Sequence, residues 1–289
     1  MANPEHLARL RESVSVWNDW RDRNPDLDAD LTGANLSYAD LSEVDLTRAT
    51  LAGTDLTGAV LRWANLKRAH LDKAKLAEAD LSGANLTWAV LKGADLSGAA
   101  LNGAKLIEAH LEKASLQRAV LWEADLSRAH LDGVDLESAY LSRANFCDAT
   151  LTDANLAEAN LAAANLRDAE LTNAHLNDAH LAGADLIRAD LTEANLVKAD
   201  LRDAHLAEAS IFRGNLSNTV LARAELHHAN LRRANLSAAD LRSANLQRAN
   251  LDGANLTNAK LWETQRAGWS IQGVVCECVY WDEAARDPT

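Results

Sequence analysis

Leucine recurs at every fifth residue from Leu31 to Leu261, 47 positions in one register without an insertion, and only Phe146 and Ile211 replace it. Two residues before each stands a second small residue. It is Ala in 42 of the 47 units, the exceptions being Val44, Thr54, Val134, Gly214 and Thr219, and the residue between is Asp or Asn in 26. On an α-helix a step of five is about 500°, so successive leucines rotate by roughly 140° and form no stripe. A coiled coil needs a period of 3.5. In a flat strand an odd step throws every second leucine to the opposite face. A chain that turns a corner in every pentad keeps all leucines on one side, with Ala and Leu inward and the other three residues outward. One such unit cannot bury its own apolar pair, so successive turns must stack into a solenoid.

The A(D/N)LXX pattern, present from Ala29 onward over about four-fifths of the chain, resembles the pentapeptide repeat family. The resemblance implies an all-β solenoid, a right-handed quadrilateral β-helix with four pentads per turn. At about 4.8 Å per stacked strand, 47 pentads then give about twelve turns and a rod roughly 55 Å long. This body, residues 29–263, reads as one cooperative unit. Each buried leucine contributes about 1.5–3 kcal/mol, and Ala is required because the lumen is narrow.

Both ends depart from the repeat. Residues 1–28 read as an N-terminal capping helix and lead-in: Asn3 and Pro4 have the character of a cap and first helical residue. Leu7, Leu10, Val14 and Trp17 follow on one helical face, with Trp20 nearby, so a single helix is expected over 3–23. Residues 264–289 read as an irregular or β C-terminal cap and tail that loses the pentads but keeps Trp269, Ile271, Val275, Tyr280 and Trp281. The WNxWR segment before the repeats and GWSIQGVVCECVYWD after them also resemble flanks of some bacterial members of the family. Trp17, Trp20, Trp269, Tyr280 and Trp281 are therefore expected at the end caps, with homodimerisation through a cap as the alternative use.

The class of protein follows from the remaining composition. Hydrophobic residues make up 48% of the chain, yet only 8 Trp, 3 Tyr and 2 Phe are aromatic, so the apolar content is Leu, Ala and Val. There is no apolar run near the ~18 residues of a membrane span, and the start has neither the basic residues nor the apolar stretch of a signal peptide. A cytoplasmic location without membrane association is expected. Net charge is −13, which disfavours direct nucleic acid binding. Cys147, Cys276 and Cys278 make no disulfide framework or zinc pattern. GxSxG, HExxH, GxGxxG and Walker-type loops are all missing, so no enzyme, cofactor or metal is expected. His110 and His130 share one column, and His205, Glu225, His227 and His228 one face, but solvated surface histidines account for both.

A rod without a pocket works by its surface, and two surfaces compete. Some members of the resembled family are DNA mimics that bind DNA gyrase and protect it from inhibitors. The candidate acidic surface for that role is Asp55, Glu78, Asp95, Asp132, Asp135, Glu137, Asp153, Glu158 and Asp178. Duplex DNA carries a charge per about 1.7 Å, so a rod of this length would need roughly 32. The repeat body has 32 acidic but also 23 basic residues, which makes it a weak mimic. The second candidate is a protein-binding surface of Arg48, Val60, Trp63, Lys67, Arg68, Trp88, Val120, Trp122 and Tyr140, since Trp and Arg are the residue types of interface hot spots. It suits a scaffold or adaptor, although tryptophans lying flat over their neighbours would serve structure alone.

Overall fold

Every pentad closes on the same local turn. In the computed structural model, which describes residues 1–281, the Ala34 N–H donates to the Leu31 carbonyl at 3.0 Å, and the same bond recurs pentad after pentad. The residue before each such Ala sits at positive φ. Thirty-seven of these corners are filled by residues other than glycine, with φ between 53° and 62°. A left-handed third residue closed by a bond from the fourth to the first is the geometry of a type II turn. Left-handed backbone costs a non-glycine residue roughly 1–2 kcal/mol. Burial of the pentad's leucine contributes about 1.5–3 kcal/mol, so the core wins and the corner accepts Arg, Glu or Trp.

Parallel pairing fixes the coil. Each bridge joins residues twenty apart, from Asp30↔Thr50 through Asp125↔Asn145 in one part and from Thr150↔Glu170 through Asn255↔Val275 in the other. Twenty residues are four pentads, so the coil has four sides. Each side is one bridged residue between two corners, and the named strands are accordingly short: β1 (Ala259–Lys260) pairs in parallel with β2 (Val279–Tyr280). The chain divides into two compact units, Met1–Asn145 and Phe146–Thr289, the second described as far as residue 281. Within each, Leu and Ala of successive pentads are buried in the lumen.

The exceptions to the pattern have local causes. Thr54 and Thr219 occupy alanine positions, fully buried, because their hydroxyls donate to the carbonyls of Leu31 (2.8 Å) and Leu196 (3.0 Å) in the preceding coil. Gly214 and Ile211 explain each other: a Cβ at Gly214 would stand 2.7 Å from Ile211 Cγ2. The branched side chain takes the space an alanine would use.

At the N-terminal end the expected single helix is two. α1 (Pro4–Glu12) is capped by the Asn3 side chain, and α2 (Val14–Arg23) by Ser13. Ser13 is fully extended, at φ −172° and ψ 158°, so the helix breaks there and restarts with Ser13 accepting from the Val16 N–H at 3.1 Å. Leu10 and Trp17 are buried, while Leu7 and Val14 are half-buried. The helices satisfy the open edge of the first coil group by group. Trp17 Nε1 donates to the Asp45 carbonyl at 2.7 Å, Asn18 accepts from the Asp45 N–H at 2.8 Å, and buried Arg21 donates to the carbonyls of Leu27 and Thr47. An unpaired strand edge is thereby closed.

The C-terminal segment, expected as an irregular or β cap that loses the pentads, loses them in its side chains and keeps the coil in its backbone. Gln265, Ser270 and Val275 pair with Asn245, Asn250 and Asn255 at the same twenty-residue step, and Tyr280 pairs with Lys260. The side chains depart while the backbone pattern persists, because backbone pairing is indifferent to side-chain identity. Arg266, Ile271, Cys276 and Trp281 fall at leucine positions and are exposed, Ile271 to 47%. Trp269 and Tyr280 are half-buried. Residues 282–289 of the expected cap and tail lie outside the described residues.

Candidate protein-binding surfaces

The twenty-residue step stacks outward side chains into columns, and the columns decide which candidate residues meet. Arg48, Arg68 and Trp88 follow one another one coil apart. Arg48 is paired with Asp28 at 2.9 Å. Over the Trp88 ring sit two cations, Arg68 at 4.8 Å and Lys67 at 4.9 Å, and Trp88 Nε1 donates to Glu108 at 3.1 Å. Stacked cations of this kind contribute about 0.5–1 kcal/mol each at exposed sites. Trp88 is thus 37% exposed and held on both its face and its edge.

Trp63 behaves otherwise. Its ring lies over Gly83, one coil on, where a Cβ would collide with it, and Tyr38 lies over Gly58 in the same way. These tryptophan and tyrosine rings cover backbone, although Trp63 remains 70% exposed. The column of Val60 continues through Ala100 to Val120 and Tyr140 on alternate or adjacent coils. Val120, Trp122 and Tyr140 come together with Ser142 around a hollow of about 400 Å3, with Trp122 exposed to 47% and Tyr140 to 56%. Trp63 does not line it. The single surface expected from sequence therefore resolves into a cation-clamped Trp88, a Trp63 laid on glycine, and an open aromatic hollow.

Among the acidic candidates, Glu78, Asp95, Glu137, Asp153, Glu158 and Asp178 are exposed, and Asp55, Asp132 and Asp135 half-buried. Asp55, Asp95 and Asp135 stand before a leucine, and each accepts the N–H two residues on, at 3.0–3.1 Å. Such Asx bonds recur along the chain with Asn as well as Asp, for example Asn35 to Ser37. This explains why Asp or Asn fills that position so often: the side chain ties the start of the corner. The Thr57 hydroxyl and amide accordingly hold the Asp55 carboxyl below the usual range.

Sequence reasoning missed the ladders of ion pairs between coils. Arg188 grips Asp168 with two bonds of 2.5 and 2.7 Å, Arg223 grips Asp203 at 2.6 and 2.7 Å, and Glu123 and Glu193 pair with Arg143 and Arg213. Each pair spans twenty residues, and the column spacing alone does not say which side chains in a column turn toward one another. Their arginines offset the charge on the acidic faces.

His110 and His130 stack at 4.5 Å with His110 Nδ1 3.2 Å from Glu112, and His227 lies 3.6 Å from Glu225. Among the described residues no three His, Cys, Asp or Glu side chains come together as metal ligands. Cys147 is half-buried, and burial followed by the neighbouring Asp148 carboxylate raises its thiol. Cys278 donates to Asn258 at 2.7 Å, whereas Cys276 is exposed. No helix of the described residues is long and apolar enough to cross a membrane.

Set against known families, the chain matches Pentapeptide repeats in eight copies between residues 28 and 265. It belongs to the pentapeptide repeat family. Among solved structures this pentapeptide repeat protein is similar to HetL, a protein involved in heterocyst differentiation regulation from the cyanobacterium Nostoc sp. strain PCC 7120, at 30% identity over 86% of this chain and 94% of that one, with a TM-score of 0.36. It is similar to QnrB1, a plasmid-mediated fluoroquinolone resistance protein, at 18% identity over 62% and 91%, TM-score 0.37. Rfr23 from the cyanobacterium Cyanothece 51142 shares 32% identity over 30% of this chain and 64% of that one, TM-score 0.19. Membership rests on the repeat match, since all three TM-scores are low. No curated protein matches the chain.

Proposed function

We propose that this protein is a non-enzymatic, cytoplasmic interaction scaffold, a right-handed coil that binds a protein partner through the aromatic hollow of Val120, Trp122 and Tyr140. The hollow carries the reading: two large rings stand about half exposed around an almost wholly apolar depression, and exposed aromatic clusters on charged surfaces are where partners anchor. Three free thiols suit a reducing compartment. A photoreactive group at Ser142 should crosslink a discrete protein from host lysate. Trp122→Ala with Tyr140→Ala should lose that species while the circular dichroism is unchanged; unaltered crosslinking would remove the hypothesis.

A narrower reading is a DNA-mimicking rod that binds DNA gyrase and protects it from an inhibitor. The exposed acids Glu78, Asp95, Glu137, Asp153, Glu158 and Asp178 support it, and the arginine ladders weigh against it. A gyrase supercoiling assay with and without a fluoroquinolone decides: neither inhibition nor protection ends this reading and leaves the scaffold intact. The exposed Ile271, Val275 and Trp281 also support self-association through the C-terminal end. Light scattering should then give a mass above that of one chain, reduced by Ile271→Asp.

A further inference from the structure

A second depression lies wholly within the unit Phe146–Thr289, and its chemistry differs from that of the aromatic hollow. It encloses about 660 Å3. Its floor is one pentad with two apolar outward residues. Val220 stands where Asp or Asn is common, and Ala222, only 6% exposed, stands between Arg202 and Arg242 in its column. The coils on either side carry charged groups at those two positions, Asp200 with Arg202 before and Asp240 with Arg242 after, and the arginines rise above the alanine between them. A notch results, two coil steps from wall to wall, about 9.6 Å.

The walls set guanidinium groups outward of their own carboxylates, and the exposed Glu263 lies at the Trp262 end of the depression. Arg202 binds Asp200 with bonds of 2.8 and 2.5 Å, and Arg242 binds Asp240 with 2.7 and 2.5 Å while stacking over Trp262 at 5.1 Å. The carboxylate side chains are only 18% and 12% exposed, against 55% and 44% for their arginines. Arg223, tied to Asp203, lines the same depression. On the opposite rim Lys198 is exposed, and no carboxylate among the described residues lies within ion-pair distance of it. A bidentate guanidinium keeps further N–H donors after gripping one carboxylate, so Arg202 retains donors on its outer edge. Four cations (Lys198, Arg202, Arg223, Arg242) against three carboxylates (Asp200, Asp240, Glu263) line it, so on a chain of net charge −13 the Lys198–Arg202 end is a locally cationic rim beside an apolar floor. Its complement is a short acidic segment with an apolar side chain among its carboxylates.

We propose that the Val220–Ala222 notch is a docking site for an acidic, apolar-containing peptide segment of a partner protein, its apolar side chain on the floor and its carboxylates on Lys198 and Arg202. The site is separate from the aromatic hollow, so it stands or falls independently of the scaffold reading given above. Rigid, pre-paired guanidinium groups lose little freedom on binding, which favours recognition.

The probe is a fluorescein-labelled peptide of Glu and Leu, with one peptide of Lys and Leu and another of Glu and Ser as controls, read by anisotropy on the full chain. The Glu/Leu peptide should bind, and both controls should bind more weakly. Ala222→Arg fills the floor with a residue type the column already carries at Arg202 and Arg242, and Lys198→Glu reverses the rim; each should weaken binding by about tenfold, as loss of a complementary contact does, with circular dichroism unchanged. Trp122→Ala with Tyr140→Ala should leave binding intact. The proposal is overturned if the Glu/Leu peptide does not bind, if Ala222→Arg binds it as well as wild type does, or if a single-stranded oligonucleotide displaces it.

Discussion

Ala124 is 1% exposed between leucine-lined coils, and the space it leaves is a methyl wide. Ala124→Leu should cost about 1–3 kcal/mol through overpacking; an unchanged Tm would contradict the narrow lumen. Gly214 offers a sharper test. Ala at that position fits the repeat but meets Ile211, so Gly214→Ala alone should destabilise by about 1 kcal/mol. Ile211→Leu removes the β-branch that carries Cγ2, and the double variant should recover that loss. A coupling energy near zero in the double-mutant cycle would mean that the two exceptions are unrelated. Both exceptions are visible in the sequence as separate lapses. That they compensate each other follows only from their side chains meeting in the lumen.

At the scale of elements, the helices and the ladders can each be tested by removing charge. Arg21 is 2% exposed and donates to the carbonyls of Leu27 in the lead-in and Thr47 in the first coil. Arg21→Met keeps the stem and removes those donors, so amide exchange at Asp30 and Asp45 should quicken as the end loosens; unchanged protection would deny the cap its role. For the ladders and the Arg202–Asp200 pair, the hydrogen bonds from Arg188, Arg223 and Arg202 lower the carboxyls of Asp168, Asp203 and Asp200 in the folded chain. A carboxyl lowered on folding stabilises above its unfolded pKa of about 4 and loses that contribution as pH falls through the folded value. Tm should therefore hold from neutrality to about pH 5 and drop below about pH 4, and a Tm that rises there would reverse the sign. The helical pattern was legible because Leu10 and Trp17 share a face. The break was not, because Ser13 is acceptable inside a helix by propensity and only the course of the chain over the first coil favours its extended backbone.

For the whole molecule, net charge −13 sets what it avoids: duplex DNA should not shift in a mobility assay at physiological salt, since a chain with few spare cations releases few counterions, and a salt-sensitive shift would refute this. What it binds is a matter of columns. The five-residue period by itself determined that the chain turns corners and that Leu and Ala line its interior, because no helix or flat strand keeps such a period on one side. It also determined that aromatic residues would be excluded from the repeat core, apart from Phe146. The twenty-residue step came from the family resemblance, and the tertiary structure decided which contacts that step makes. That step puts Arg68 on Trp88, Trp63 on Gly83, Arg223 on Asp203, and a small pentad between two arginine-walled ones. It also carried the coil through residues 264–280 after the side-chain pattern had ended. The physical reason is that the period reports which residues are inside, through burial along one chain, whereas outward contacts form between coils and depend on how many pentads complete a turn.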